Sequence, residues 1–177
     1  MEDIRLLSER GDTIVKNDEF EVLYKKYSTE LYIYALSLCK DHHLSQDLVS
    51  DTFFKALLSI EYTQEYIKYW LFRVCKNLYL DYLRKNKCLQ DIEINANKLL
   101  VEDNTLDKII LSEHRRRIYY EILKLQTSYK EVITLYYYCN FTLQEISQIV
   151  GISQGAARTL LFRARKKLKT VLEEELK

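Results

Sequence analysis

The stretch that decides the fold is TLQEISQIVGISQGAARTLLFRARKKL, residues 142–168. Thr142 is followed three residues later by Glu145, which is the capping-box pattern that starts a helix. Gly151 then supplies the backbone freedom for a tight turn, and Ser153 can cap a second helix. Two short helices joined by a glycine turn predict a helix-turn-helix.

The second helix of this motif is strongly basic. Residues 151–170 hold six Lys or Arg side chains and no acidic one. Arginine makes bidentate contacts with guanine, and both basic residue types neutralise phosphates. The turn, the cap, the small crossing residue Ser147 and the basic second helix coincide, so we expect the motif to bind DNA. The early residues of the second helix should then enter the major groove. A helical hairpin with a basic outer face is the alternative.

Charge is segregated along the rest of the chain, although the net charge is only +1. Residues 1–60 carry a net charge of −4, residues 61–90 of +3 and residues 91–112 of −3. A polyanionic ligand would therefore meet two separated basic segments, and acidic surface is left for another partner. Two solvated helix faces would produce the same charge pattern.

The apolar spacing outside the motif is helical as well. Steps of three and four residues from Phe20 to Leu38 predict one helix, and segments 45–59 and 66–85 predict two more. Ser45 is the predicted N-cap of the second helix. The 177 residues include no proline and only three glycines, which argues against hairpin-rich β folds. The sequence therefore predicts an all-α protein.

The predicted helices fall into two groups. Residues 88–112 are acidic and lack helical spacing for most of their length, so we interpret them as a linker. Two small helical domains are then expected at 1–87 and 113–177. In the second domain, Thr127 and Ser128 separate two helices that precede the helix-turn-helix.

Composition and motifs argue against several classes of function. No stretch approaches about 18 uncharged apolar residues, and the first residues lack the pattern of a signal peptide, so we expect a cytoplasmic protein. Cys39 with His42 and His43 is the one metal-like cluster, and the surface end of a helix explains it better. We see no carboxylate cluster, nucleophile–base pair or P-loop, and so expect no enzyme activity, metal or cofactor.

The segments taken together resemble the bacterial RNA polymerase sigma factors of the extracytoplasmic-function (ECF) group. EISQIVGISQGAARTLLFRARKKL, residues 145–168, is similar to the family pattern EIAEILGIS-x-GTVKSRL-x-RARKKL. FEVLYKKY (20–27), DLVSDTFFKAL (47–57) and YWLFRVCKNLYLDYLRK (69–85) are similar to the family's FEELYRRY, DLVQETFLKA and AWLFRIARNLALDYLRR. The resemblance covers most of the chain, with its blocks in the family's order.

The resemblance implies a dissociable subunit that binds core RNA polymerase and directs it to promoter DNA without chemistry of its own. The first domain would bind the polymerase clamp and melt the −10 element, and the second would read the −35 element. An anti-sigma factor is the implied second partner, and no small-molecule substrate is expected. A stand-alone helix-turn-helix regulator that binds DNA without polymerase is the alternative.

The resemblance also assigns candidate site residues. Polymerase contacts match one helix and comprise Asp47, Leu48, Asp51 and Phe53. Contacts to the −10 region match the next loop and helix and comprise Tyr62, Trp70, Arg73, Lys76, Asn77 and Arg84. Contacts to the −35 region match the helix-turn-helix and comprise Ser153, Arg158, Thr159, Phe162, Arg163, Arg165 and Lys166.

Two of these assignments have an open alternative. Tyr62 stacks on a flipped base or lies in an ordinary connecting loop. Trp70 either wedges the DNA duplex or fills the protein core. The core position is favoured, because Trp70 is a lone Trp on an apolar stripe. Three further positions depart from the family pattern, because Ser50 replaces a glutamine, Ala157 replaces a valine and Leu160 replaces an arginine. Ala157 leaves room in the helix crossing. The departures at Ser50 and Leu160 predict an altered polymerase contact and an altered −35 contact.

Overall fold

The structure is a computed structural model that describes residues 3–58, 66–87, 110 and 112–175. Within these residues the regular elements are all α-helices, so the predicted all-α fold is confirmed. In chain order they are α1 (Asp3–Cys39), α2 (His42–Leu58), α3 (Ile67–Lys87), α4 (Glu113–Lys124), α5 (Thr127–Tyr137), α6 (Leu143–Val150) and α7 (Gln154–Glu175). No helix in this described part is both long and apolar enough to cross a membrane.

The first half of the chain, α1 to α3, packs through the apolar stripes that the spacing predicts. Leu31 of α1, Phe53 of α2 and Leu71 of α3 are all buried in the same core. The backbone of α1 starts at Asp3, well before the stripe that begins at Phe20. An apolar stripe shows where a helix packs rather than where its backbone ends, so the pattern underestimated this helix.

Ser45 is not the N-cap of α2, so that prediction is wrong. The helix starts at His42, and Asp41 caps it by accepting the Leu44 amide at Oδ1 over 2.9 Å. Ser45 is buried one turn further on, and its hydroxyl donates to the Asp41 carbonyl at 2.5 Å. Asp and Ser both cap helices well, so residue type alone does not decide between two candidates in the same turn.

The helix-turn-helix forms as predicted in the second half of the chain, α4 to α7. The Thr142 hydroxyl accepts the Glu145 amide at 3.3 Å, and the Glu145 carboxylate accepts the Thr142 amide at 2.8 Å. Gly151 ends α6 in the left-handed region at φ 80°. The Ser153 hydroxyl accepts the Ala156 amide at 3.2 Å and so starts α7. Buried Ser147 lets the two helices cross closely.

The break between α4 and α5 lies close to its predicted place. α4 ends at Lys124 and α5 begins at Thr127, so the chain leaves helical geometry at Leu125 and Gln126. The predicted linker falls almost entirely outside the described residues, and the division into two domains therefore stays a prediction.

The two halves pack directly against each other and share one hydrophobic core. α5 lies on α1, and α6 lies on α3. The rings of Phe72 and Phe141 meet edge to face with centroids 4.7 Å apart. The Tyr119 hydroxyl of α4 donates to the Ile33 carbonyl of α1 at 2.5 Å.

Candidate nucleic-acid interface

The outer side of α7 carries the residues predicted to contact the −35 element. Its inner side is closed by Ala157, Leu161 and Ala164, which are all buried. Because two of these three are alanines, α7 can lie close to α5 and α6. The predicted contact residues on α7 are all exposed: Arg158, Thr159, Phe162, Arg163, Arg165 and Lys166.

Phe162 stands out on this face because 67% of its surface is exposed. It follows Arg158 by four positions and precedes Arg163, so an apolar ring lies among guanidinium groups. An exposed aromatic ring contributes nothing to the core of this chain, but apolar side chains contact the methyl group of thymine in the major groove. The face therefore combines donors for guanine and phosphate with an apolar contact for thymine.

Other side chains hold parts of this face in position. The guanidinium carbon of Arg165 lies 5.2 Å and 5.3 Å from the ring centroids of Tyr136 and Tyr137. Such cation–π contacts restrict a long side chain without burying its donors. The Thr159 hydroxyl donates to the Gly155 carbonyl at 2.9 Å. The tyrosine pair is a contributor that the sequence analysis missed, and the Tyr-Tyr-Tyr run ahead of the motif was its signal.

The second predicted DNA surface lies along α3. Arg73, Asn77 and Arg84 are exposed and follow each other at helical spacing on one side. The Arg73 guanidinium donates to the Tyr69 hydroxyl at 2.7 Å. Trp70 is partly buried and packs against the core, which favours its core alternative. Tyr62 lies outside the described residues.

Lys76 does not join that exposed side. Its Nζ lies 2.8 Å from Oε1 of Glu131 on α5 and donates to the Val150 carbonyl at 3.0 Å. The family resemblance grouped Lys76 with Asn77, but adjacent helix positions point about 100° apart. The structure therefore separates Lys76 from the other basic residues of α3.

The predicted polymerase contacts on α2 divide into two sets. Asp47 and Asp51 are exposed one helical turn apart. Leu48 and Phe53 are buried in the core, so they support the helix from inside and do not present a surface to a partner in this structure. Phe54 takes the exposed position instead, with 59% of its surface accessible. The sequence analysis missed this residue, and its place directly after Phe53 was the available signal, because adjacent helix positions point about 100° apart.

The cysteine and histidine cluster at the end of α1 is occupied by local contacts. The Cys39 sulfur lies 3.1 Å from the Ser45 hydroxyl, and His42 Nδ1 lies 2.6 Å from the Tyr32 hydroxyl. Burial raises the pKa of the Cys39 thiol, and it raises that of Cys75 to about 12. Among the residues described, no group of three or more His, Cys, Asp or Glu is arranged to hold a metal ion.

Comparison with known proteins identifies both halves. Residues 23–88 match the family model for sigma-70 region 2, and residues 115–168 match the model for sigma-70 region 4. The ECF RNA polymerase sigma factor SigM of Bacillus subtilis is 33% identical over 150 residues, covering 84% of this chain and 92% of SigM. The RNA polymerase sigma factor YlaC of the same organism is 30% identical over 162 residues, covering 86% of this chain and 91% of YlaC.

Two solved structures share the fold. One is the sigma factor RpoE in complex with the anti-sigma factor NepR from Bartonella quintana, with a TM-score of 0.64 and 22% identity. It covers 88% of this chain and 97% of RpoE. The other is CnrH in complex with the cytosolic domain of CnrY, with a TM-score of 0.62, 23% identity and coverage of 89% and 90%.

Proposed function

Because the chain belongs to the sigma-70 family of RNA polymerase sigma factors, and within it to the ECF type, we propose that it binds core RNA polymerase and directs it to specific promoters. In this proposal α7 reads the −35 element, and α3 contacts and opens the −10 element. The chain contributes recognition and binding only, and the chemical step belongs to the polymerase. It acts in the cytoplasm, where its DNA is.

The observation that carries the proposal is the exposed face of α7. Four residues at helical spacing, Arg158, Thr159, Phe162 and Arg163, point away from a core that the helix-turn-helix closes from behind. The N-terminal residues of a recognition helix are those that reach base edges, and the later basic residues contact phosphates. Arg165 and Lys166 occupy that later position.

The outer side of α2 is the proposed polymerase contact. Asp47, Asp51 and Phe54 follow one another on one exposed side of the helix. Two carboxylates beside an apolar ring suit a partner surface that is basic at its edge and apolar at its centre. Ser50 lies on the same side, so the departure from the family pattern falls within this contact.

The alternative of a stand-alone regulator lacks a supporting observation. A free-standing helix-turn-helix protein has no need of a segment like residues 23–88, which match region 2 of sigma-70. The similarity in fold to RpoE, which was solved in complex with the anti-sigma factor NepR, and to CnrH, solved in complex with the cytosolic domain of CnrY, supports a further element of the proposal. This element is that a protein inhibitor covers the DNA and polymerase surfaces of this chain.

Run-off transcription tests the proposal. The chain is combined with core polymerase of its own organism and fragmented genomic DNA, and transcript starts are mapped. We expect a small set of starts that share upstream sequences and that disappear when the chain is omitted. A folded chain that fails to bind the core enzyme, or starts that do not depend on it, would refute the proposal.

Arg158→Ala combined with Arg163→Ala separates promoter reading from polymerase binding. The double variant should still bind core polymerase but lose the −35-dependent starts. The matched variant Asp47→Lys with Asp51→Lys should lose polymerase binding instead. If both double variants behaved like the unaltered chain, the two surfaces would be assigned wrongly.

A further inference from the structure

One arginine on the exposed side of α3 is held in place by a tyrosine of the same helix. The Arg73 guanidinium donates to the Tyr69 hydroxyl at 2.7 Å, and its carbon lies 6.0 Å from the centre of the Tyr69 ring. The Tyr69 ring is partly buried and packs against the hydrophobic core. Because the core holds the ring, the hydroxyl at its end has a fixed position. Tyr69 therefore sets the direction in which the Arg73 guanidinium points.

This contact leaves most of the binding capacity of Arg73 unused. A guanidinium has several N–H donors, and only one of its nitrogens is engaged by Tyr69. Arg73 is exposed to solvent, so the remaining donors can reach a ligand. Its partner is a hydroxyl and not a carboxylate, so the contact does not offset the positive charge. A fixed plane of donors with a positive charge is what a phosphate group requires.

A second arginine on the same side of α3 is held in a different way. The Arg84 guanidinium lies 2.6 Å from Oδ1 of Asp81 on the same helix. A carboxylate offsets the charge of the arginine and repels a phosphate that approaches it. Of these two arginines, Arg73 is therefore the one prepared for an anionic ligand.

Tyr69 is also a departure of this chain from the family pattern. The pattern AWLFRIARNLALDYLRR has alanine where YWLFRVCKNLYLDYLRK has Tyr69, and both have arginine at the position of Arg73. Alanine has no side-chain acceptor, so it cannot hold that arginine. Ordering a long side chain on binding costs part of the binding free energy, and a side chain that is ordered beforehand avoids this cost.

We propose that Tyr69 is a positioning residue for promoter binding, which holds the Arg73 guanidinium in the orientation that contacts one backbone phosphate of the −10 element. The inference rests on the proposed contact of α3 with the −10 element. Tyr69 acts through Arg73, so its hydroxyl matters only while the arginine and that phosphate are both present.

Tyr69→Phe tests the inference, because it removes the hydroxyl and keeps the ring that packs on the core. Tyr82→Phe is the matched control, since Tyr82 is exposed and lies about 180° from Arg73 around the same helix. Fluorescence anisotropy measures binding of the holoenzyme to a promoter fragment found by run-off transcription. We expect Tyr69→Phe to weaken binding about three- to tenfold, and Tyr82→Phe to leave it unchanged.

Combination with Arg73→Ala shows whether Tyr69 acts through the arginine. In the Arg73→Ala protein, the additional change Tyr69→Phe should have no further effect, because the group that it positions is gone. A neutral methylphosphonate is also placed at each backbone position of the −10 element in turn. At one position it should abolish the effects of both substitutions. Additive losses, or losses that depend on no single phosphate, would overturn the inference.

A measurement on the free chain separates the inference from the proposed function. NMR relaxation of the side-chain nitrogens of Arg73 should show an ordered guanidinium in the unaltered chain and a mobile one in Tyr69→Phe. A guanidinium that is mobile in both, or equal promoter binding by both, would refute the inference while promoter-specific transcription still stands. A chain that holds Arg73 in order but supports no transcription would refute the proposed function, and with it the −10 phosphate as the ligand.

Discussion

Replacement of Lys130 by methionine is expected to stabilise the protein at neutral pH. Lys130 is only 2% exposed and lies where α5 meets the end of α1. Burial, and to a smaller extent the charge of Lys40, lowers the pKa of Lys130 from 10.5 to about 8. Below about pH 8 this lysine is charged in the folded and the unfolded protein alike, so the folded state bears the full cost of burying the charge.

The size of the gain follows from the pKa of Lys130. The lowering of the Lys130 pKa from 10.5 to about 8 corresponds to a cost of about 3 kcal/mol for the buried charge, at about 1.36 kcal/mol per pKa unit. As the pH rises from 8 to 10.5, the folded protein releases the proton while the unfolded chain keeps it, so the unaltered protein becomes more stable. Methionine carries no charge at any pH. Its advantage is therefore largest near neutrality and falls by about 2 kcal/mol by about pH 9.5.

Urea unfolding at about pH 7 and about pH 9.5, followed by circular dichroism, measures this difference. We expect Lys130→Met to raise the free energy of unfolding by about 1 to 3 kcal/mol at the lower pH, the range allowing for imperfect packing of the new side chain. Lys167→Met, at an exposed lysine of α7, is the control and should change it by less than about 0.5 kcal/mol. The reasoning is refuted by a variant that is less stable at neutral pH, or by an advantage that does not change with pH.

Three further predictions concern the helix-turn-helix. Gly151→Ala should lower the free energy of unfolding by about 1 kcal/mol through backbone strain at φ +80°, whereas Gly155→Ala, in a helix with equally open space, should raise it by about 0.5 to 1 kcal/mol. Thermal unfolding gives the two signs, and equal signs would contradict the prediction. Thr142→Ala removes the side-chain cap of α6 and should lower the free energy of unfolding, measured in urea, by about 1 kcal/mol. An unchanged free energy of unfolding would show that the cap does not stabilise the fold. Lys166→Ala should weaken promoter binding by the holoenzyme and reduce the salt slope by about one, and an unchanged slope would remove Lys166 from the phosphate contacts.

The features that could be predicted from the sequence are those decided by near neighbours. Thr142 and Glu145 cap α6, Gly151 turns the chain and Ser153 caps α7, and each of these depends on atoms within four residues. Contacts of this kind can be predicted from the sequence, because both partners lie in the same short segment. The same reasoning failed at Ser45 because Asp41, a second good capping residue, lies in the same turn.

Features that depend on distant parts of the chain could not be predicted in this way. The apolar spacing of α2 predicts Phe53 on the buried side, but the family resemblance assigned the same residue to a polymerase contact, and the packing of α1 and α3 shows that its ring is buried. The partner of Lys76 is Glu131, which belongs to the other half of the chain. A contact of this kind follows from how α5 and α6 pack against α1 and α3, which charge counting along the sequence does not reveal.

The division of α7 into an alanine-lined inner side and a solvent-facing outer side has an evolutionary consequence. Substitutions at exposed positions such as Arg158 or Phe162 change unfolding free energies by only about half a kcal/mol, whereas changes at Ala157 or Ala164 disturb helix packing. If these exposed residues read the promoter as proposed, selection can alter the set of genes such a protein controls while its thermostability stays constant. Paralogues can diverge in target choice without first acquiring compensating mutations elsewhere.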